Sequence, residues 1–530
     1  MPDNPEMATN TQSRLRATLR HSLRKAQSTL EETWKRAAAG VTFVRFCAFG
    51  AIFLLASIFF NQYGFLHPEL ARIIPHHFSG ESVFRLVFYT PALDWITNSQ
   101  GQYIPCYQGR EISYLVDHFD FLAVAKSVQY GFPCFVGLSH LVFSFLAGCL
   151  LWRFLACQLE YDRLTASLFV FLLWSSPYIY THNIFRSGKI AVALGSVLLV
   201  SVLYRVLHGI MTEKSPGSYQ CKWTDYALVF VISLATSLFD RQGLYYQGIA
   251  VLLLFVISCA GARKRGLLLT LPIFLAVGAN MIYFRFIGPY FSMKFYGINP
   301  GFGFNTLPTE GLTLAQTSFL AKDSFSILHA VIRHTTGSFS FAIAIGMLAA
   351  FALILLVADW RRASRARSAP LVAKLPYLTI SFAIVLILSW IMYFAMEMRH
   401  PPITWPDLRL FYYGIPTAAI TIMTMSIGLH IVRKQASTFR KIPLGLVLIV
   451  MLIGNLTALP GHRRTVDNGN GRVYIALSPF MRDALLNIYN PNYTPPPGIR
   501  SDATYQALRD YALRESNAAK LLVTPGTSQK

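Results

Sequence analysis

The sequence predicts an all-α, polytopic membrane protein of about eleven transmembrane helices, with a cytoplasmic N-terminus and an outside C-terminus. Three observations carry this. Of 530 residues, 54% are hydrophobic and only 14% are charged. Long apolar stretches recur from Val41 to Pro460, each near the ~20 residues that take a helix across a ~30 Å hydrocarbon core. The formal charge of +22 is concentrated in short loops that alternate with those stretches. A soluble chain of this length would carry more charge and shorter apolar runs.

Residues 1–40 form a basic cytoplasmic tail. In "RLRATLRHSLRKAQSTL", Leu15, Leu19 and Leu23 stand four apart with arginines between them. This is the pattern of a basic amphipathic helix lying on anionic membrane lipids; a disordered basic tail is the plainer alternative. No short apolar region with a small-residue cleavage site follows, so a signal peptide is not expected. The membrane domain is expected over 41–460, with spans at 41–60, 130–152, 164–180, 189–208, 226–239, 244–261, 266–286, 338–358, 375–396, 411–432 and 442–459. The outer loops are then 61–129, 287–337 and 397–410. Residues 461–530 make an extracytoplasmic tail: a Pro-rich linker, "NPNYTPPPGIR", and one helix capped by Ser501.

The inner loops "ARKR", "WRRASRARSAPLVAK" and "RKQASTFRK" share one side, which sets the orientation. The net charge is thereby explained as membrane anchoring, and no nucleic-acid partner is expected. Seven cysteines show no CxxC pair, so neither a structural metal nor a disulfide framework is supported. Cys106 and Cys134 pair only if both face an oxidising compartment.

The loop 61–129 is far longer than most connections, and ordered loops of that length are usually functional. Pro68 opens a short helix in "HPELARII", and "ESVFRLVFYTPALDWI" reads as an interfacial helix. In "YQGREISYLVDHFDFLAVAKSV", Ile112, Leu115, Phe119 and Leu122 form an apolar stripe, and Asp117 and Asp120 share another face. Two carboxylates that close repel, and one can hold a raised pKa suited to general-base work. With His118 they offer a site for a divalent cation, Mg²⁺ or Mn²⁺; no other cofactor is expected. A solvated helix face at the membrane surface is the plainer reading.

Three more constellations fall on the same side. "FDRQG" places Asp240 and Arg241 in a tight turn at headgroup depth, either facing a polar cavity or pairing with each other. "NIFRSGKIAVALG" sets Arg186 and Lys189 at a helix start, where they suit a phosphate group or simply snorkel. "WPDLRLFYYGIP" sets Asp407, Arg409 and Tyr412 ahead of Pro416, the alternative being an aromatic-belt anchor. Acids are scarce in the span interiors, which argues against ion-coupled transport and for chemistry at the outer face.

This arrangement resembles the GT-C class of integral-membrane glycosyltransferases. The inward N-terminus, the span number and the long acidic first outer loop match that class. "LRLFYYGIP" is similar to its Arg-Tyr…Pro element, and "YQGREISYLVD" looks like the Gly-Arg element of phage-type O-antigen glucosyltransferases. The resemblance implies a multi-pass bacterial inner-membrane enzyme. It would move a sugar from a polyprenyl-phosphate donor to a glycan, lipid or protein acceptor at the outer face. It further implies that Asp117 or Asp120 deprotonates the acceptor and that Arg186, Lys189, Arg241 or Arg409 holds the donor phosphate, with Arg110, Glu111, His118, Asp240 and Tyr412 lining the same site. Many members carry an acid immediately after the first span. Here Asn61 and Gln62 stand there and Glu69 is the first acid, so Asp94 stays a further candidate base. A transporter or flippase for lipid-linked sugars, and an O-antigen ligase or polymerase, are the alternatives.

The orientation is directly testable. A cysteine placed at Ser364 is expected to be shielded from an impermeant thiol reagent in intact cells, and one at Ser501 to react. The opposite labelling would put the acidic loop on the cytoplasmic side.

Overall fold

The computed structural model describes residues 21–22, 25, 28–29, 31–60, 82–92, 95–97, 103–107, 110–129, 138–175, 187–212, 221–240, 242–257, 267–297 and 301–302, with scattered positions between 423 and 456. The spans expected at 338–358 and 375–396, most of 411–432, the Pro68 helix, the loop 397–410 and the tail 461–530 lie outside the described residues.

Within them the chain is predominantly helical. α1 (Glu31–Gly40) runs into α2 (Phe43–Phe60), and α3 (Val83–Ala92) and α4 (Glu111–Gln129) follow. Next come α5 (Leu138–Arg153), α6 (Arg163–Trp174), α7 (Ser187–Thr212), α8 (Trp223–Phe239) and α9 (Gln242–Ile257). α10 (Thr270–Ile282), α11 (Gly288–Tyr296) and a late apolar helix, α12 (Leu444–Gly454), complete the set. Single π-helical turns, Phe154–Gln158 and Tyr283–Ile287, extend α5 and α10. A helix therefore occupies every expected span from 41–60 through 266–286. Among the described residues two helical stretches are long and apolar enough to cross a membrane: Leu138–Gln158, with 21 residues, and Thr270–Phe295, with 26. Counting α1 and α2, which meet at 81°, as one broken span makes three. α6, α8 and the Ile190–Val206 part of α7 are apolar but shorter.

The first outer loop departs from the purely helical expectation. α3 stops at Ala92, just after Pro91, which cannot donate a backbone hydrogen bond. Trp95 and Ile96, read as helical in the sequence, instead enter a strand. β1 (Trp95–Thr97) pairs antiparallel with β2 (Tyr103–Tyr107), Ile96 opposite Ile104. β3 (Gly301–Phe302) adds to β2 in parallel. Aromatic and β-branched residues flanking the polar "NSQGQ" favour this hairpin.

Several helices expose apolar side chains, while polar side chains are buried among the largely apolar interior. Phe49 and Ile52 of α2, Val231 of α8, and Leu271, Phe274, Leu275 and Ile282 of α10 are exposed. Ser233, Thr236 and Ser237 of α8, Gln247 of α9 and Asn280 of α10 are buried. A helix in water shows the reverse, so the pattern suits a lipid exterior. Inside, Gln247 donates to the Ser233 carbonyl at 2.5 Å and to Ser237 Oγ at 2.6 Å. Gly195 of α7 lies so close to Thr236 of α8 that a β-carbon would collide with it. Arg205 and Asp225 tie the far ends of the same two helices at 2.5 Å.

α2, α5 and α6 are joined by an aromatic stack. Phe46 lies between Trp152 and Trp174, with ring centroids 5.4 Å away in both directions. Phe145 stacks on the outer face of Trp174 at 6.2 Å. Both indoles are hydrogen-bonded: Trp174 Nε1 donates to the Ser144 carbonyl at 2.9 Å, and Trp152 Nε1 to Ser167 Oγ at 3.0 Å. Buried indoles usually find such partners. Gly50 of α2 and Gly148 of α5 form the socket, since a β-carbon on either would overlap the Trp174 ring.

Gly148→Ala is therefore expected to lower stability by about 1–3 kcal/mol, the usual range for overpacking a tight core. Trp174→Phe in the same chain should return part of that loss by emptying the space the methyl needs. Thermal unfolding of the detergent-solubilised variants checks both; an unchanged melting temperature in Gly148→Ala would contradict the socket.

Candidate functional site

The Asp240 turn organises the site. α8 ends at Phe239 and α9 begins at Gln242, with Asp240 leaving the end of α8. Asp240 is extended, its amide donating to the Thr236 carbonyl and its own carbonyl accepting from Gly243 at 2.8 Å. Only glycine fits at 243, because a β-carbon would stand 2.8 Å from the Thr236 backbone. The turn is thereby pressed into the bundle, and the Asp240 side chain is only 3% exposed.

A carboxylate held that deep needs a cation. It finds Arg110, whose Nε lies 3.4 Å from Asp240 Oδ2 and whose side chain is 14% exposed. Two constellations that sit far apart in sequence, "YQGREISY" and "FDRQG", are thus joined by an ion pair. The third arrives at the same place. Gly188, between Ser187 and Lys189 at the head of α7, faces Ser113 of α4 and the Phe239 carbonyl of α8. A β-carbon there would come within 2.6 Å of Ser113 Oγ and 2.9 Å of that carbonyl. Three backbones and one ion pair meet within a few ångströms because 188 and 243 are glycines.

α4 lies on this junction with its polar side inward. Glu111, Tyr114 and His118, spaced i, i+3 and i+7, are buried together with Ser113, whereas Phe119 is 57% exposed. The apolar stripe read from the sequence is therefore not what α4 packs inward at Phe119. The polar stripe packs against the bundle, as expected when the neighbouring solvent is hydrocarbon.

Asp120 is drawn away from the junction. Its Oδ1 accepts from the Ser139 amide at 2.9 Å, and its other oxygen accepts from the Ser139 hydroxyl. Asp120 thus caps α5 from nineteen residues upstream. Burial pushes its carboxyl above the ordinary carboxylate range, and the two bonds from Ser139 oppose that shift. The folded chain consequently holds this proton to higher pH than the unfolded chain does.

α3 is fastened beside α4 by aromatic contacts to α11. Phe88 and Phe291 stand 4.8 Å apart, Ser292 Oγ donates to the Phe88 carbonyl at 3.1 Å, and Arg85 donates to the Phe295 carbonyl at 3.3 Å. These contacts hold α3 against α11.

Asp94, Arg186, Arg241, Arg409 and Tyr412 lie outside the described residues; Asp117 and Lys189 are described only as helical backbone. Among the described residues no three His, Cys, Asp or Glu side chains converge as a metal would require. Ser113, Gly188 and Ser139 were not singled out in the sequence. Their signal was small residues at helix starts, which becomes meaningful only once the crossing partner is known.

The ion pair gives a test in stability. Arg110→Met leaves a buried carboxylate without its cation and is expected to cost about 3–5 kcal/mol. Arg110→Met with Asp240→Asn removes the stranded charge and should recover at least half of that loss. Equal stability of the wild type and Arg110→Met in thermal unfolding would show that the pair is not formed.

Comparison of the chain with models of known protein families, with curated proteins and with solved structures finds no match.

Proposed function

We propose that the chain is a membrane glycosyltransferase of the GT-C kind, transferring a sugar from a polyprenyl phosphate to an envelope acceptor at the outer face. The carrying observation is the junction of α4, the head of α7 and the Asp240 turn. It gathers Arg110, Glu111 and Asp240 at one end of helices whose exterior is apolar. In the sequence Arg186 and Lys189 stand on either side of Gly188, and Arg241 follows Asp240, so this reading assigns three further cations to the site.

This composition suits the chemistry. A lipid phosphate leaving group needs cationic stabilisation more than proton donation. A base on the acceptor hydroxyl typically contributes 10²–10⁴-fold. Arg110 is engaged with Asp240, which leaves Arg186, Lys189, Arg241 and Arg409 as the phosphate ligands of this reading. Both Asp120 oxygens are engaged by Ser139, so the base falls to Asp117, one turn earlier on α4, with Asp94 next. A lipid-linked donor also accounts for an extensively apolar chain. On this reading the protein is an inner-membrane enzyme with eleven spans and an outward site.

Transfer from polyprenyl-phosphate sugars in membrane vesicles tests the assignment. Asp117→Asn is expected to lose at least ~10²-fold in turnover while still retaining the lipid donor. Asp120→Asn preserves an acceptor for the Ser139 amide and should keep most activity. Normal turnover in Asp117→Asn would remove the base. Donor binding with no transfer by the wild type would favour the flippase alternative.

A further inference from the structure

We propose that the elbow between α1 and α2 is a docking site for an anionic phospholipid. This does not rest on the catalytic reading. The break is built into the sequence: Gly40 is a poor helix former, and Thr42 Oγ1 accepts from the Arg45 amide at 3.2 Å, starting a new helix. The two axes meet at 81°, so when α2 stands across a bilayer, α1 lies along its surface. Trp34 fixes that attitude by packing on Gly445 of α12, where a β-carbon would overlap the indole.

The elbow exposes consecutive carbonyls, and two arginines from different helices occupy them. Arg45 donates to the Gly40 carbonyl at 2.8 Å and Arg163 to the Val41 carbonyl at 3.5 Å. Each guanidinium uses one donor this way and retains others. Both residues are exposed, and among the described residues neither pairs with a carboxylate. The nearest acid in sequence, Asp162, accepts from the Thr165 amide at 2.9 Å and its hydroxyl at 2.8 Å. Two held guanidiniums with free donors match a phosphodiester.

The occupant is a lipid because of what lies next to them. Arg45, Phe49 and Ile52 follow at i, i+4 and i+7, which is one stripe of α2. Phe49 is 64% and Ile52 63% exposed, and Val44 beside them is 77% exposed. The stripe therefore reads as a cationic head over an apolar track, as acyl chains below a phosphate require. A free anion would use the arginines and ignore the track.

The purified full chain in neutral detergent, offered phosphatidylglycerol or phosphatidylcholine and read by native mass spectrometry, tests this. Wild type is expected to prefer phosphatidylglycerol by at least about tenfold, since each cation near an anionic surface contributes roughly fivefold. Arg45→Gln with Arg163→Gln should abolish the preference, and the double lysine variant, which keeps both charges without the planar forks, should keep only part of it. If the glutamine pair does not fold, Val44→Glu, at an outward position, should reduce the preference by placing a carboxylate beside the headgroup. Millimolar inorganic phosphate should leave lipid retention unchanged; displacement by it would assign a simple anion site instead. No preference in wild type, or an unchanged preference in the folded charge variants, overturns the proposal.

Discussion

The structure depends on one constraint: with much of its helical exterior apolar, its helices are held by close approach at small residues and by hydrogen bonds between buried polar groups. In water, burial of apolar surface would hold the helices together. In hydrocarbon that drive is gone, and close packing of small residues and interhelical hydrogen bonds take its place. The glycines at 50, 148, 188, 195 and 243 each mark a contact where a β-carbon would collide with a neighbouring element. The polar seam of Ser233, Ser237 and Gln247 and the two hydrogen-bonded tryptophans do the rest.

The candidate site follows from the same constraint. A tight turn pressed into the bundle buries Asp240, and a buried carboxylate demands a cation. Arg110 supplies it, and in doing so it pins the first residues of α4 to the end of α8. α4 must then present Glu111, Tyr114 and His118 inward and leave Phe119 outside. The long loop is held from its other side by the Phe84, Phe88, Phe291 and Phe295 cluster. A buried polar junction between α4 and the end of α8 is thus a consequence of packing. Among the described charges, the fold brings together Arg110 and Asp240.

Helix positions were legible in the sequence because apolar runs bounded by basic loops are a one-dimensional signal. The segments 41–60, 226–239 and 266–286 all contain helices for that reason. The pairing of Arg110 with Asp240 was not legible: the turn offered Arg241 as the adjacent partner, and nothing local indicates a residue 130 positions away. Which face of α4 packs inward was not legible: the sequence shows an apolar stripe and a polar one, and the burial of Glu111, Tyr114 and His118 depends on the neighbouring helices. The β1–β2 hairpin was missed because Trp95 and Ile96 were read as the end of an interfacial helix and the residues after them were given no element, although Pro91 and the polar "NSQGQ" mark a break. The spacing of Asp120 to Asp117 was legible, but its bonds to Ser139 were not. Its role as a cap on α5 depends on Ser139, whose position is set by tertiary packing.

The central claim is that the donor lipid binds where α4, the head of α7 and the α8–α9 turn meet. Photo-crosslinking with a diazirine-bearing polyprenyl phosphate, followed by peptide mapping, measures this most directly. The account predicts labelled peptides containing Arg110–His118, Arg186–Lys189 and Asp240–Gly243, all protected by excess unlabelled lipid. Labelling confined to the α1–α2 elbow, or labelling at the junction that excess lipid does not suppress, would contradict it.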